Sequence, residues 1–124
     1  MIQILHVEDD PDIREIAKIS FELSGDFVLT QCASGEEALI VVQDFVPDLL
    51  LLDVMMPGMD GRQTLKKMRE MPHLKEVPVI FLTARVQPSE EKELLDLGAE
   101  KVIIKPFDPL TLSSEVQSVL NQTV

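Results

Sequence analysis

The sequence predicts an α/β domain in which helices cover both faces of one parallel sheet. Short apolar runs alternate with helix-like segments along the chain, and one of them, Leu49-Leu50-Leu51-Leu52, leads without a break into Asp53. Such a run, opened by Pro47-Asp48 and closed by Pro57-Gly58, is typical of a strand buried on both faces. Regular alternation of strands and helices indicates right-handed crossovers and therefore parallel strands.

The composition limits the class of protein and its partners. A length of 124 residues is typical of one domain, which we place at 1–124. Asp and Glu number 22 against 11 Lys and Arg, a net charge of -11 that repels phosphate backbones, so we expect no direct nucleic-acid partner. One cysteine, no signal peptide and no apolar run of membrane-span length favour a cytoplasmic protein without a membrane partner.

The first half of the chain is predicted to contain two strands, each followed by a helix. Ile2 to Val7 is a short apolar strand, and Asp10 before Pro11 is a typical cap for a helix over 11–24, which Ser24-Gly25 ends. The predicted buried face of that helix consists of Ile13, Ile16, Ala17, Ser20 and Leu23. Phe27 to Cys32 is strand-like, and Ser34 with Glu37 matches a capping box. The helix it opens has an apolar stripe of Ala38, Leu39, Val42, Phe45 and Val46.

The second half continues the alternation after the Leu49–Asp53 strand. Asp60-Gly61 begins a helix that runs to about Glu70, and 73–76 is predicted to be a polar loop. Strands are predicted over 78–82 and 101–104, with a Glu-rich helix between them that Pro88 opens and that ends near Gly98. Asp108-Pro109 repeats the Asp-Pro helix start. The apolar face of this last helix consists of Leu112, Val116, Val119 and Leu120.

The strand order determines which polar residues meet. Five parallel strands with helices on both faces suit the flavodoxin-like, doubly wound order 2-1-3-4-5, in which strands one and three are neighbours at the switch point. Ligands of such sheets bind beyond the carboxyl ends of the strands. The residues that end these strands are Glu8, Asp9, Asp53, Thr83 and Lys105. We therefore expect all five at one edge of the sheet, whereas we expect His6 and Cys32 to be packed core residues and His73 to be exposed.

Three crowded carboxylates repel one another unless a cation neutralises them. Mg²⁺ prefers oxygen ligands and uses one or two carboxylates beside water and phosphate oxygens. We predict Asp9 and Asp53 as direct ligands, Glu8 through water, and a backbone carbonyl just after Asp53. With an ammonium and a hydroxyl opposite, the Asp53 carboxylate could attack phosphorus and form an acyl phosphate.

The chain resembles a response-regulator receiver domain of two-component signalling over nearly its whole length. The matching segments are Ile4–Asp10, Leu52–Gly61, Leu82–Arg85, Gly98-Ala99 and Lys105-Pro106-Phe107. The resemblance implies that Asp53 is the phosphoacceptor, loaded by a sensor histidine kinase or a histidine phosphotransfer protein, and that an output domain or protein lies downstream.

The resemblance also implies a role for each residue around Asp53. Asp9, Asp53 and the Met55 carbonyl would hold Mg²⁺, assisted by Glu8. Thr83, the Ala84 amide and Lys105 would bind the phosphoryl oxygens, and the peptide bond before Pro106 would be cis.

The chain departs from the family pattern at one position. Receiver domains usually carry Tyr or Phe three residues before the lysine, as the partner of Thr83 in the conformational switch, and this chain has Val102. A valine cannot swing inward as an aromatic ring does, so the resemblance leaves the size of the switch open. Met55 and Arg85 occupy positions that tune hydrolysis of the acyl phosphate in relatives, and we expect the bulky Met55 to slow it.

Three other functions are considered beside the phosphoacceptor. A degenerate receiver used as an interaction module is supported by Val102 but not by the retained acids and lysine. A haloacid-dehalogenase-type aspartyl-phosphate phosphotransferase requires a second acid two residues after the nucleophile, where this chain has Met55. A nucleotide or flavin binder on the same fold lacks a glycine-rich loop after the first strand, and the chain has no Trp or Tyr to stack on a flavin.

Overall fold

The five predicted strands form one parallel sheet. The computed structural model describes residues 1–84 and 87–122. The strands are β1 (Ile2–Val7), β2 (Phe27–Cys32), β3 (Leu49–Asp53), β4 (Val79–Thr83) and β5 (Lys101–Ile104). Their order is β2-β1-β3-β4-β5, and every neighbouring pair is parallel. The predicted fold class and strand order are therefore confirmed.

Helices cover both faces of the sheet. Across the described ranges, the α-helices are α1 (Pro11–Ser24), α2 (Gly35–Val41), α3 (Gly61–Arg69), α4 (Pro88–Asp96) and α5 (Leu112–Gln122). Short 3₁₀ helices follow α2 at Val42–Asp44 and precede β4 at Pro72–Leu74. None of these helices is long and apolar enough to cross a bilayer, as far as the described residues extend.

Side chains on opposite faces of the strands form two separate cores. One core contains Leu5, Val7, Leu50, Leu52, Val79 and Phe81 beneath α2 and α3. The other contains Ile4, Leu49, Leu51, Ile80, Leu82 and Ile103 beneath α1 and α5. All five residues of β3 are buried, as are all five of β4, because these strands lie inside the sheet and are covered on both faces. This packing holds the end of β3, and with it Asp53, in a fixed position.

The helix starts follow the predicted capping chemistry. The Asp10 side chain accepts a hydrogen bond from the Asp12 amide at 2.8 Å, and the Ser34 hydroxyl accepts one from the Glu37 amide at 3.1 Å. Gly25 ends α1 in the left-handed conformation, with φ of 78°. The capping box at Ser34 is half formed, because Glu37 accepts from the Ala33 amide and not from that of Ser34.

Three predicted details of the helices are wrong. The buried residues of α1 are Ala17, Ser20 and Phe21, whereas Ile16 and Leu23 are 38% and 70% exposed, because the side of the helix that carries Ala17 and Phe21 packs into the core. The chain tightens into a 3₁₀ turn at Val42, so Val46 lies outside the predicted stripe and is 55% exposed. Helix α5 begins at Leu112 and not directly after Asp108. The Asp108 carbonyl accepts hydrogen bonds from the Thr111 and Leu112 amides, which form a separate turn before the helix.

The segment predicted as a polar loop before β4 contributes one residue, Leu74, to the core, while its other residues are exposed. Leu74 is fully buried at the end of a 3₁₀ helix, and the Arg69 guanidinium donates to the Leu74 and Val77 carbonyls.

The predictions for the histidines and the cysteine agree with the structure. His6 and Cys32 are buried and His73 is exposed. Burial raises the pKa of the Cys32 thiol to about 11, which makes it an inert core residue.

Candidate functional site

Three carboxylates meet where β1 and β3 end side by side. Val7 pairs with Leu52 in the sheet, so Glu8 and Asp53 are the next residues along two adjacent strands. Carboxylate oxygens of Glu8, Asp9 and Asp53 all lie within 4.8 Å of one another. Glu8 and Asp53 are buried, whereas Asp9 faces solvent. The structure thus brings together the three acids that the sequence places at the strand ends.

The ammonium of Lys105 lies between two of these acids. Its Nζ donates to Glu8 Oε1 and to Asp53 Oδ1, each at 3.0 Å. Burial alone would lower the pKa of Lys105, but the hydrogen bonds and charges of Asp53 and Glu8 outweigh it and raise that pKa. The lysine therefore stays charged, and its ammonium lies against the carboxylate of Asp53.

The acids carry more charge than the lysine can balance. When all three acids are ionised, they and the one ammonium leave two negative charges. The pKa of Glu8 rises to about 8, first because the carboxyl is buried and next because Asp53 is close, while Lys105 opposes both effects. In the described part of the chain, buried Asp53 Oδ2 has no hydrogen-bond partner. A divalent ion would remove both the charge excess and this unmet acceptor, so the residues fit the Mg²⁺ that the fold implies.

Thr83 and Ala84 lie at the end of β4, on the other side of Asp53. Asp53 pairs with Leu82 in the sheet, and the Val54 amide donates to the Leu82 carbonyl at 2.9 Å. Thr83 is buried as the last residue of β4, and its carbonyl accepts from the Lys105 amide at 2.7 Å. Ala84 comes next and is exposed. The predicted role of Arg85 lies outside the described residues.

The loop after Asp53 is fastened to two helices. Met55 projects from it and is 73% exposed, while its neighbours Val54 and Met56 are buried. The Glu36 carboxylate of α2 accepts from the Met59 amide at 3.1 Å. At the start of α3, the Gly61 amide donates to the Val54 carbonyl at 2.9 Å. Gly61 lies so close to the Asp53 carbonyl that a methyl group in place of its hydrogen would overlap that oxygen.

The structure also places the two residues predicted at β5 and the turn after it. Val102 is half-buried and packs against the core beneath α2 and α3. The peptide bond between Lys105 and Pro106 is cis.

Sequence reasoning missed three residues that touch the backbone of the site. Glu36 and Gly61 hold the loop after Asp53, and Arg14 donates to the Glu8 and Asp9 carbonyls. Asp60-Gly61 indicated only the start of a helix, and nothing in the sequence distinguishes Arg14 or Glu36 from solvent-exposed charges. Side-chain contacts to distant backbone have no local sequence signature.

Comparison with known proteins identifies sequences that are related to this chain. A family model described as the response regulator receiver domain matches residues 4–117. The response regulator Rre1 of Synechocystis sp. is 38% identical over 119 residues. The phosphate regulon transcriptional regulatory protein PhoB of Rhizobium meliloti is 34% identical over 120 residues. These matches cover 96% and 97% of this chain but 52% of each relative, so the chain spans about half the length of the curated relatives it matches.

Solved structures of similar sequence have the same fold. The chemotaxis protein CheY4 of Vibrio cholerae is 31% identical, with a TM-score of 0.89 and coverage of 96% of this chain and 98% of that one. A putative response regulator from Chloroflexus aurantiacus is 33% identical, with a TM-score of 0.88 and coverage of 97% and 98%.

Proposed function

The chain belongs to the response-regulator receiver family of two-component signalling, and from this premise we propose that Asp53 accepts a phosphoryl group from a phosphohistidine. The donor is a sensor histidine kinase or a histidine phosphotransfer protein. The observation that carries the proposal is the position of the Asp53 carboxylate, which lies 3.0 Å from the Lys105 ammonium and within 4.8 Å of two further acids.

The reaction transfers phosphorus from nitrogen to oxygen. A carboxylate oxygen of Asp53 attacks the phosphorus, the P–N bond breaks, and the imidazole of the donor leaves with the electron pair and takes up a proton. The product is an acyl phosphate on Asp53. The fold contributes a carboxylate that is fixed in position as the last residue of a buried strand.

The neighbouring residues stabilise the charge of the transferring group. The Glu8, Asp9 and Asp53 carboxylates and the Met55 carbonyl would hold Mg²⁺, Glu8 through water. When bound, Mg²⁺ supplies positive charge to the phosphoryl oxygens. Lys105 releases its hydrogen bond to Asp53 and donates to the phosphoryl group. The Thr83 hydroxyl and the Ala84 amide donate to its other oxygens.

Phosphorylation changes the surface through the strand ends that touch Asp53. The added charge draws Thr83 and Lys105 toward it, and the Thr83 carbonyl is bonded to the Lys105 amide, so β4 and β5 move together. Val102 is the switch position on β5, and its small, half-buried side chain limits the movement there. The response therefore depends on Thr83 and Lys105 more than on Val102.

The partners follow from the family and the charge. The matched part of Rre1 and of PhoB is about half the length of each, and the name of PhoB describes transcriptional regulation. We assign this chain the receiver part, residues 1–124, acting in the cytoplasm on a downstream output domain or protein. Its net charge of -11 argues against direct contact with nucleic acid.

Two other functions fit the structure less well. A phosphotransferase with turnover needs a general acid two residues beyond Asp53, and Met55 stands there with its side chain in solvent. A degenerate receiver would have no use for the half-buried lysine that bonds to two acids. The protein is therefore proposed to be a phosphoacceptor and not an enzyme that turns over a separate substrate.

Phosphorylation by acetyl phosphate tests the proposal. Intact-mass spectrometry should show one added phosphoryl group in the presence of Mg²⁺ and little without it. Asp53→Asn should abolish the addition, whereas Asp44→Asn, which changes an exposed acid on the first 3₁₀ helix, should not. Retained labelling in the Asp53 variant would refute the proposed acceptor. Absence of labelling in the unaltered protein would favour the interaction module, and release of many phosphates per chain would favour the enzyme.

A further inference from the structure

Arg14 contacts the backbone of the acid loop, residues 8–10 between β1 and α1, at two consecutive residues. It lies at the start of α1, and its Nη1 donates to the Glu8 carbonyl at 2.8 Å and to the Asp9 carbonyl at 3.2 Å. These two carbonyls belong to the peptide groups on either side of the Asp9 Cα. Because each peptide group is planar, holding both of them restricts φ and ψ of Asp9 and so the direction of its Cα–Cβ bond.

The Asp9 carboxylate depends on this backbone support. Glu8 and Asp53 are buried and are held by Lys105, but Asp9 is exposed. Among the contacts of the described residues, the Asp9 side chain makes no hydrogen bond and no ion pair. Its oxygen nevertheless lies within 4.8 Å of the other two acids. The backbone alone therefore keeps this carboxylate at the cluster.

Arg14 is itself tied to the sheet. The Gln31 side chain on β2 donates to the Arg14 carbonyl at 2.8 Å, and its Nε2 lies 3.1 Å from His6 Nδ1 on β1. The helix turn that carries the guanidinium is thus bonded to Gln31 of β2, and Gln31 in turn contacts His6 of β1. This arrangement makes Arg14 a rigid anchor and not a mobile surface charge.

We propose that Arg14 is a positioning residue that orients Asp9 for binding of a divalent cation. The proposal rests on the proposed function, because it assigns the Mg²⁺ of that reaction to a site that Arg14 shapes. Arg14 touches neither the cation nor the phosphoryl group and acts only through the two carbonyls.

The sign of the effect distinguishes positioning from simple charge. A guanidinium near three acids repels an incoming cation, so removal of its charge alone would tighten Mg²⁺ binding. Loss of positioning weakens Mg²⁺ binding. Substitution of a residue that supports a metal ligand commonly lowers metal affinity by about 10- to 100-fold. The proposal therefore requires weaker Mg²⁺ binding in a variant that carries less positive charge.

Titration of the phosphate-free protein with Mg²⁺, followed by backbone NMR shifts, tests this directly. Arg14→Met should raise the Mg²⁺ dissociation constant about tenfold. Arg14→Lys, which keeps the charge and part of the donor capacity, should lie between this variant and the unaltered protein. Lys18→Met is the matched control, since Lys18 is exposed one turn further along α1, and it should leave the constant unchanged or slightly lower. Amide exchange at Asp10 should also become faster in Arg14→Met only.

Folding defects and failure of the wider proposal can be told apart. Gln31→Leu leaves Arg14 in place and should weaken Mg²⁺ binding less than Arg14→Met, in the same direction. An unchanged or tighter constant in folded Arg14→Met would overturn the positioning role while phosphorylation of Asp53 stood. Normal Mg²⁺ binding that falls in Arg14→Met, together with no labelling by acetyl phosphate, would support the positioning role and refute the proposed function. Failure of the unaltered protein to bind Mg²⁺ would refute both.

Discussion

The Lys105 ammonium lies 3.0 Å from the Glu8 carboxylate, although 97 positions separate the two residues along the chain. The same nitrogen is 3.0 Å from Asp53, so one cation holds the ends of β1 and β3 together. Its side chain is 16% exposed and those of its partners are 0% and 2% exposed. Because Glu8 and Asp53 are this deeply buried, their carboxylates cannot turn to water when the lysine is removed.

We expect Lys105→Met to lower the unfolding free energy of the metal-free protein by about 2 kcal/mol, less than for a fully buried pair because the lysine is partly exposed. Mg²⁺ should restore part of this loss and should bind more tightly than in the unaltered protein, since a competing cation is gone. Urea unfolding with and without Mg²⁺ measures both effects. Lys92→Met, which removes a solvent-exposed pair with Asp96, should change little. Equal losses in the two variants would contradict the importance of burial.

The buried imidazole of His6 makes stability depend on pH. Burial, followed by the charges of Lys105 and Arg14, lowers the pKa of His6 from 6.5 to about 3. The folded protein therefore keeps His6 neutral, while the unfolded chain takes up a proton below about pH 6.5. The stability that this difference contributes is complete above that pH and is lost as the pH falls toward 3.

His6→Leu should remove this dependence. Between pH 6.5 and 5, the unaltered protein should lose about 2 kcal/mol of unfolding free energy relative to the variant. Glu8 acts in the opposite direction, since its raised pKa adds stability as the pH falls below about 8, but it is present in both proteins and cancels in the difference. Chemical unfolding followed by circular dichroism at several pH values gives that difference. Parallel curves for the two proteins would show that His6 does not titrate as described.

The exposed side chain of Met55 stands beside the proposed acyl phosphate. We expect it to hinder the approach of water, so Met55→Asn should shorten the lifetime of phosphorylated Asp53 several-fold. Decay of the phosphorylated form, followed by intact mass after removal of the donor, measures that lifetime. Ile40→Asn replaces a side chain of similar exposure on α2 and should leave the lifetime unchanged. If Met55→Asn decays no faster, the side chain does not shield the phosphate.

The close approach of Gly61 to the Asp53 carbonyl predicts a strong effect of one methyl group. Gly61→Ala should push α3 away from β3, lower the unfolding free energy by about 2 kcal/mol and slow phosphorylation of Asp53. Gly25→Ala should lower the unfolding free energy by about 1 kcal/mol, because Gly25 has a φ of 78°. The space around its new methyl group is open, so no neighbour has to move. Labelling by acetyl phosphate should therefore slow in the first variant and not in the second. Equal rates would mean that β3 tolerates the shift.

The fold could be predicted because its signals are local and repeated. The unbroken Leu49–Leu52 run indicated a central strand, and alternation with helices then indicated the strand order. Periodicity did not determine which side of α1 faces the sheet, and so it missed Phe21, because rotation of a helix is decided by the surface on which it packs. The 3₁₀ turn at Val42 was missed for a similar reason, since the same apolar stripe suits either helix type.

The candidate site was predictable only as far as strand ends determine it. Glu8, Asp53 and Lys105 follow strands whose order was predicted, and the structure brings them into contact. Arg14 and Glu36 reach the site through backbone carbonyls and amides of another segment. A backbone group is the same at every residue, so no residue type in the sequence marks such a contact in advance.

The order of the strands has a consequence for the chain during synthesis. The acids stand on the first and third strands, and the ammonium that faces them follows the last strand. A nascent chain that has emerged only through β4 carries the acceptor but not its counter-charge. The charge balance at the strand ends is therefore completed only after the last strand has been made.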